Sequence, residues 1–224
     1  MPAAGVMPRA VLFDLDGTLI DSAADLAHAT NVLRHERGLV PMLAADLRAL
    51  TGSGARGMLR GAFGLQPGAA AYAELREAFV RRYSDCLLRS TTLFDGMDTV
   101  LSRLADSGSR WGIVTNKSTA LTRPILDGLG LSGRAGAVVC GDTTPHLKPH
   151  PAPLLEAAAR IGVAPAHCVY VGDDPRDMLA GRAAGMRTLA AAWGYLGTAT
   201  PLHEWDADDV AHRPGDLLKL LQLA

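Results

Sequence analysis

Residues 10–14, Ala-Val-Leu-Phe-Asp, decide the fold: four apolar residues in a row run into an acid, with Asp16 and Gly17 just beyond. An apolar run without polar alternation is what a strand buried on both faces requires. The pattern returns in WGIVTN (111–116), AVVCGD (137–142), CVYVGD (168–173) and RTLAAA (187–192), each ending near a polar or small residue. Helical patterns separate these runs at TALTRPILDGLG (119–130), PAPLLEAAARIG (151–162) and RDMLAGRAAG (176–185), several of them closed by a glycine. Strand and helix alternate, so the expected fold class is α/β with a doubly wound parallel sheet. Ligands of such a sheet bind at the carboxyl ends of its strands.

Residues 22–90 break the alternation. DLAHATNVLRHERG, AADLRALTG, RGMLRGAFG and AAAYAELREAFVRRYSDCLL all read as amphipathic helices, with no strand among them. The expected organisation is an α/β core from residues 1–21 and 91–224 and a small inserted helical domain from 22–90, with hinges at 20–23 and 90–93. LFDGM (93–97) marks the return to the core, with a turn at Asp95 and Gly96 and a helix starting near Met97.

With 224 residues the chain is long enough for one well-filled core and a smaller attached unit. No run reaches the 18 or so uninterrupted apolar residues of a membrane span, and the first ten residues lack the basic start and apolar core of an export signal. The formal net charge of -1 with scattered Lys and Arg argues against a nucleic-acid face. Three well-separated cysteines, Cys86, Cys140 and Cys168, fit buried thiols in a reducing compartment. The expectation is a soluble cytoplasmic protein, monomer or homodimer, without nucleic-acid or membrane partners.

The chemistry-bearing residues gather at predicted strand ends. Asp14 and Asp16 stand two apart, and a strand continuing that far would send both carboxylates to one side, one able to attack and the other to handle protons. An isolated Asp pair is equally a turn former. Thr115 and Asn116 either hold phosphoryl oxygens or cap a turn. Lys148, in HLKPHP, is either presented to the site from a proline-stiffened loop or solvated. In GDDPRD, Asp173, Asp174 and Asp177 are either site acids or helix caps. Several carboxylates in one crevice repel one another unless a divalent cation neutralises part of their charge, so a metal is expected.

In that order, DLDGTLIDS, VTNKS, LKPHPAP and VGDDPRDMLAGRAAGM resemble the four motifs of the haloacid dehalogenase superfamily, along nearly the whole chain. The resemblance implies a Rossmann-like core with a helical cap, and a phosphatase that uses Mg2+ on a small phosphorylated metabolite. It implies that Asp14 becomes an aspartyl phosphate while Asp16 protonates the leaving alcohol and later activates water. It gives Thr115 and Lys148 the phosphoryl oxygens, and Asp14, the Asp16 backbone carbonyl and Asp173 the metal. Asp177 stands behind these ligands, and Asp174 occupies a place where many relatives carry Ser or Thr. An acid at Asp16 disfavours dehalogenation, and the lack of any lysine in 22–90 disfavours phosphonate cleavage through a cap Schiff base.

LFDGM, WGIVTNK and AAWGYLG are similar to the phosphoglycolate phosphatase branch and to the N-acetylmuramic acid 6-phosphate phosphatases, both acting on carboxylate-bearing phosphomonoesters. A phosphomutase and a single-turnover receiver-like phospho-acceptor are the alternatives. GSGARG (52–57) fits G-x-G-x-x-G but follows a helical pattern rather than a strand, so it reads as a cap loop in which Arg56 either meets a substrate carboxylate or is solvated. The histidines form no ligand cluster, and His146 and His150 are expected to face solvent.

Overall fold

The computed structural model describes residues 7–196 and 200–223, so most of the N-terminal ten residues read above lie outside the described residues. The apolar run forms β1 (Ala10–Phe13), with every residue fully buried. β1 is flanked by β4 (Arg110–Val114) and β6 (Cys168–Gly172), and the parallel sheet continues to β5 (Ala137–Val139) on one side and to β7 (Arg187–Ala191) and β8 (Asp209–Ala211) on the other. The six strands run in the order β5-β4-β1-β6-β7-β8. β1 is thus the point where successive connections diverge, and the crevice of a doubly wound sheet opens there.

Period-two geometry divides β1 between two cores. Val11 and Phe13 pack with Met97, Val100, Leu101 and Leu104 of α5 (Met97–Asp106) and with Ile125 and Leu126 of α6 (Thr119–Gly128). Ala10 and Leu12 pack with Leu154, Ala157 and Ile161 of α7 (Ala152–Ile161) and Ala180 of α8 (Pro175–Ala183). Helices on both faces explain why the strand carries no polar alternation.

Between β2 (Ile20–Asp21) and β3 (Thr92–Leu93), an antiparallel pair, the chain forms α1 (Ala23–Glu36), α2 (Ala44–Thr51), α3 (Gly54–Phe63) and α4 (Tyr72–Ser84). These helices bury their own cluster, including Leu26 and Leu33 of α1, Leu47 of α2, Met58 of α3 and Leu75, Phe79 and Tyr83 of α4. The i, i+4, i+8 spacing of the last three is the apolar stripe of an amphipathic helix. Entry and exit are tied together: the backbone N–H and hydroxyl of Thr91 donate to the buried Asp25 carboxylate at 3.1 and 2.6 Å.

Several expectations need correction. β1, β4 and β5 end at Phe13, Val114 and Val139, short of the polar residues that follow, because those residues turn into loops. The pattern expected to be helical through Leu88 ends at Ser84, and Leu88 has a positive φ of 64°. The β2–β3 pair, β8 and α9 (Asp216–Leu220) were not read from the sequence: the strands span two or three residues and α9 spans five, too short for a period to show.

Candidate active site

Parallel register does the first part of the assembly. Phe13 pairs with Ile113 and Val171, so Asp14, Val114 and Gly172 are level at the carboxyl ends, with Thr115 and Asp173 one residue beyond. The strand does not continue to Asp16. The N–H groups of Thr18, Leu19 and Ile20 all turn back to the Leu15 carbonyl, and Gly17 takes φ 88°, a left-handed value that favours glycine. A Cβ at Gly17 would also overlap the Asp173 carboxylate. The two acids of the D-x-D pair therefore have separate surroundings.

Asp14 faces Lys148. The Lys148 ammonium, whose side chain is 3% exposed, lies 2.8 Å from Asp14 and 2.8 Å from Asp177. The Tyr170 hydroxyl and the Val114 carbonyl complete its surroundings at 2.9 and 3.1 Å. Asn116 sets the loop that carries it, its carboxamide exchanging two hydrogen bonds with the Lys148 backbone at 2.9 and 3.0 Å. Both ends of Asn116, expected to reach substrate, are thus engaged with the chain. Thr115 is buried, its hydroxyl accepting from the Lys117 N–H at 3.1 Å.

Asp16 faces Lys117, a residue the sequence reading passed over although it directly follows Asn116. The Lys117 ammonium, with an 8% exposed side chain, contacts Asp16 at 2.8 Å and the Tyr83 hydroxyl of α4 at 2.7 Å. Ser22 also donates to Asp16, at 2.5 Å. Tyr170 and Tyr195 were missed as well. The sole available signal for Tyr170 was a phenol inside an otherwise apolar strand run.

Asp173 is buried and held on both oxygens: Thr18 donates its hydroxyl at 2.9 Å and Tyr195 its backbone N–H at 2.8 Å. Asp14, Asp173 and Asp177 each present an oxygen to a common point, these atoms lying within 4.8 Å of one another. Burial pushes the Asp14 carboxyl up to about 7; Lys148 pulls it down and Asp177 pushes it up. Burial, then Asp14 and Asp177, lift Asp173 well above the carboxylate range. For Lys148, burial alone would lower the ammonium, but Asp14 and Asp177 outweigh it and hold it above its usual value. One buried cation among three acids leaves excess negative charge, and an all-oxygen donor set of this kind fits a hard divalent cation such as Mg2+.

Asp174 and Asp177 are also helix caps. Asp174 accepts from the Arg176 N–H at the start of α8, and Asp177 accepts from the Asp174 N–H at 3.1 Å. Asp177 thus caps α8 with one oxygen while its other meets Lys148. Arg56 is exposed on α3 and makes no hydrogen bond or ion pair with the described residues; the structure does not bring it to the acids. GSGARG, expected to be a loop, is mostly helix: only Gly52 and Ser53 separate α2 from α3, which begins at Gly54, and a helix rather than a strand precedes it. His146 and His150 are exposed, with rings stacked at 4.0 Å. All three cysteines are free, Cys140 and Cys168 buried and Cys86 half-buried. No helix among the described residues is long and apolar enough to cross a membrane.

The profile of the family described as haloacid dehalogenase-like hydrolase matches residues 11–191. A phosphoglycolate phosphatase of Xanthomonas campestris pv. campestris (strain 8004) is 50% identical over 211 residues, covering 94% of this chain and 95% of its own. An N-acetylmuramic acid 6-phosphate phosphatase of Pseudomonas aeruginosa is 36% identical and covers 96% of each chain. Among solved structures, a predicted phosphoglycolate phosphatase from Haemophilus somnus 129PT superposes with a TM-score of 0.84 at 26% identity, covering 96% of this chain and 99% of that one.

Proposed function

The chain belongs to the haloacid dehalogenase-like hydrolases, and on that premise we propose that it is a Mg2+-dependent phosphatase acting on a small phosphomonoester whose alcohol part carries a carboxylate. The contact between Asp14 and the buried Lys148, beside Asp173 and Asp177, carries the reading. A buried ammonium against a carboxylate at strand ends is a ready receptor for phosphoryl oxygens placed next to a nucleophile.

In the proposed reaction an Asp14 oxygen attacks phosphorus and the ester P–O bond breaks, leaving an aspartyl phosphate. The departing alkoxide takes a proton from Asp16, and Lys148 and Thr115 hold the phosphoryl oxygens. Asp16 then removes a proton from water, which attacks phosphorus, releasing phosphate and restoring Asp14. Asp14, the Asp16 backbone carbonyl and Asp173 would hold Mg2+, which when bound supplies charge neutralisation for the acids and the phosphoryl group. Lys117 and Ser22 fix the direction of Asp16. Residues 22–90 act as the cap over the crevice, excluding water during the first step.

The two curated relatives point to 2-phosphoglycolate and N-acetylmuramic acid 6-phosphate, which share that chemistry. Phosphate release from both, from common sugar phosphates and from an aryl phosphate, with Mg2+ and with EDTA, tests the proposal. Turnover that needs Mg2+ and favours one of the carboxylate-bearing esters is expected. Failure to release phosphate from any of them would reject it.

A further inference from the structure

Arg176 makes a contact that helix capping does not require. Its Nε and Nη2 meet the two carboxylate oxygens of Asp174 at 2.7 and 2.8 Å, the side-on fork an arginine makes with a planar acid. An N-cap needs one acceptor for a backbone N–H, and Asp174 already meets that need at 2.8 Å. The fork points the guanidinium out of the core layer. There Nη2 donates at 2.8 Å to the carbonyl of Gly52, between α2 and α3 of the helical insert.

The same place is reached from a second side. A Cβ on Gly52 would stand 3.6 Å from the Cβ of Tyr195. Tyr195 gives its backbone N–H to Asp173 and its hydroxyl to Asp21 at 2.9 Å. Arg48 of α2 grips both oxygens of Asp21 at 2.9 Å and lies 5.0 Å above the Tyr195 ring. The end of α2 thus rests on the residues that hold and follow Asp173. A half-exposed ion pair in isolation stabilises little. The Asp174–Arg176 pair differs because its third hydrogen bond crosses from the core to the insert.

We infer that Asp174 and Arg176 form a docking arm that seats the insert over the acidic crevice: Arg176 is a positioning residue acting through the Gly52 carbonyl, and Asp174 aims it. This gives Asp174 a task beyond the helix cap. It also fixes the 52–57 segment, and with it Arg56, relative to Asp14. The kinetic side of the inference rests on reading the crevice as a phosphatase site under a cap; the docking itself does not.

The test uses Arg176→Ala, Arg176→Lys, Asp174→Ser and the Asp174→Ser/Arg176→Ala double variant of the full chain. Serine keeps the N-cap but cannot form the fork. Amide hydrogen exchange of residues 50–57 is measured by mass spectrometry on substrate-free protein, alongside kcat/KM for the preferred ester. Arg176→Ala and Asp174→Ser should each accelerate exchange in 50–57 while the β1 segment stays protected. Each should also lower kcat/KM about tenfold, and the double variant should be no worse than either single, since the two residues are one arm. Arg176→Lys keeps the charge without the fork and should recover less than half of the lost protection.

Unchanged exchange at 50–57 in Arg176→Ala, or additive kinetic losses in the double variant, would overturn the inference. Exchange is read without turnover, so a wild-type protein that releases no phosphate would count against the function and leave the docking result standing.

Discussion

Replacing Lys148 by Met keeps the volume of the side chain and removes the buried cation of the site. The Lys148 side chain is 3% exposed and its ammonium faces Asp14 and Asp177, both at 2.8 Å, and the Asp177 side chain is itself 1% exposed. Removing one partner of a buried ion pair leaves an uncompensated charge and costs about 3–5 kcal/mol. In a chain of this size that lowers the melting temperature by roughly 6–20 °C. The loss depends on pH in a direction the structure sets. Burial already pushes the Asp14 carboxyl up to about 7, above its ordinary value, so the folded state binds more protons than the unfolded one and stability falls as pH rises from the unfolded value through 7. Taking Lys148 away removes the strongest influence lowering Asp14 and carries that window higher. The loss is smaller at pH 5, where Asp14 is neutral in both proteins and only the contact with Asp177 is forfeited, and larger at pH 8 by at most about 1.4 kcal/mol, the worth of one pH unit above an Asp14 value of about 7. Urea unfolding of metal-free protein at the two pH values measures this, with the loss at pH 8 exceeding that at pH 5 by about 1 kcal/mol. A loss under about 1 kcal/mol at pH 8, against the few expected for a buried pair, or an equal loss at both, would refute the reasoning.

Asp173→Asn separates the two roles of that acid. Without metal at pH 8 the variant should melt higher than wild type, because it removes a charge that burial and two neighbouring acids disfavour; Mg2+ should raise the melting temperature of wild type and leave the variant unmoved, and a Mg2+ shift of equal size in both would contradict the assignment. Gly17→Ala should weaken Mg2+ about 10–100-fold, since the new methyl displaces an acid that its supporting hydrogen bonds otherwise fix; it also adds strain at φ 88°. An unchanged Mg2+ dependence of phosphate release would show that Asp173 tolerates the intrusion.

How far the sequence alone reached is visible in particular residues. Asp14, Thr115 and Asp173 were legible because each ends an apolar run, and parallel register then brings strand ends together. Lys148 was found through its place in the motif order; that its ammonium is buried on Asp14 follows from Asn116 clasping its backbone, a contact across 32 positions that no local pattern encodes. Lys117 was overlooked for the opposite reason. It lies beside two chosen residues, but a lysine after a turn is ordinarily solvated, and here Asp16 and Tyr83 of α4 close on its ammonium. Tyr195 escaped because its two contributions, a backbone N–H to Asp173 and a hydroxyl to Asp21, leave no mark on sequence periodicity. The helical period of residues 22–90 was readable, and α1–α4 fall there, whereas the β2–β3 pair, with two residues in each strand, was too short to have a period.

The central claim, that Asp14 carries the phosphoryl group, is tested most directly by mixing enzyme, Mg2+ and the preferred ester, quenching in acid within a single turnover, and locating added mass by peptide mass spectrometry. The account predicts one phosphoryl group on the peptide spanning Asp14, its loss as the reaction proceeds, and its absence in Asp14→Asn, which should also release no phosphate. Steady phosphate release with Asp14 never modified, or full turnover by Asp14→Asn, would contradict it.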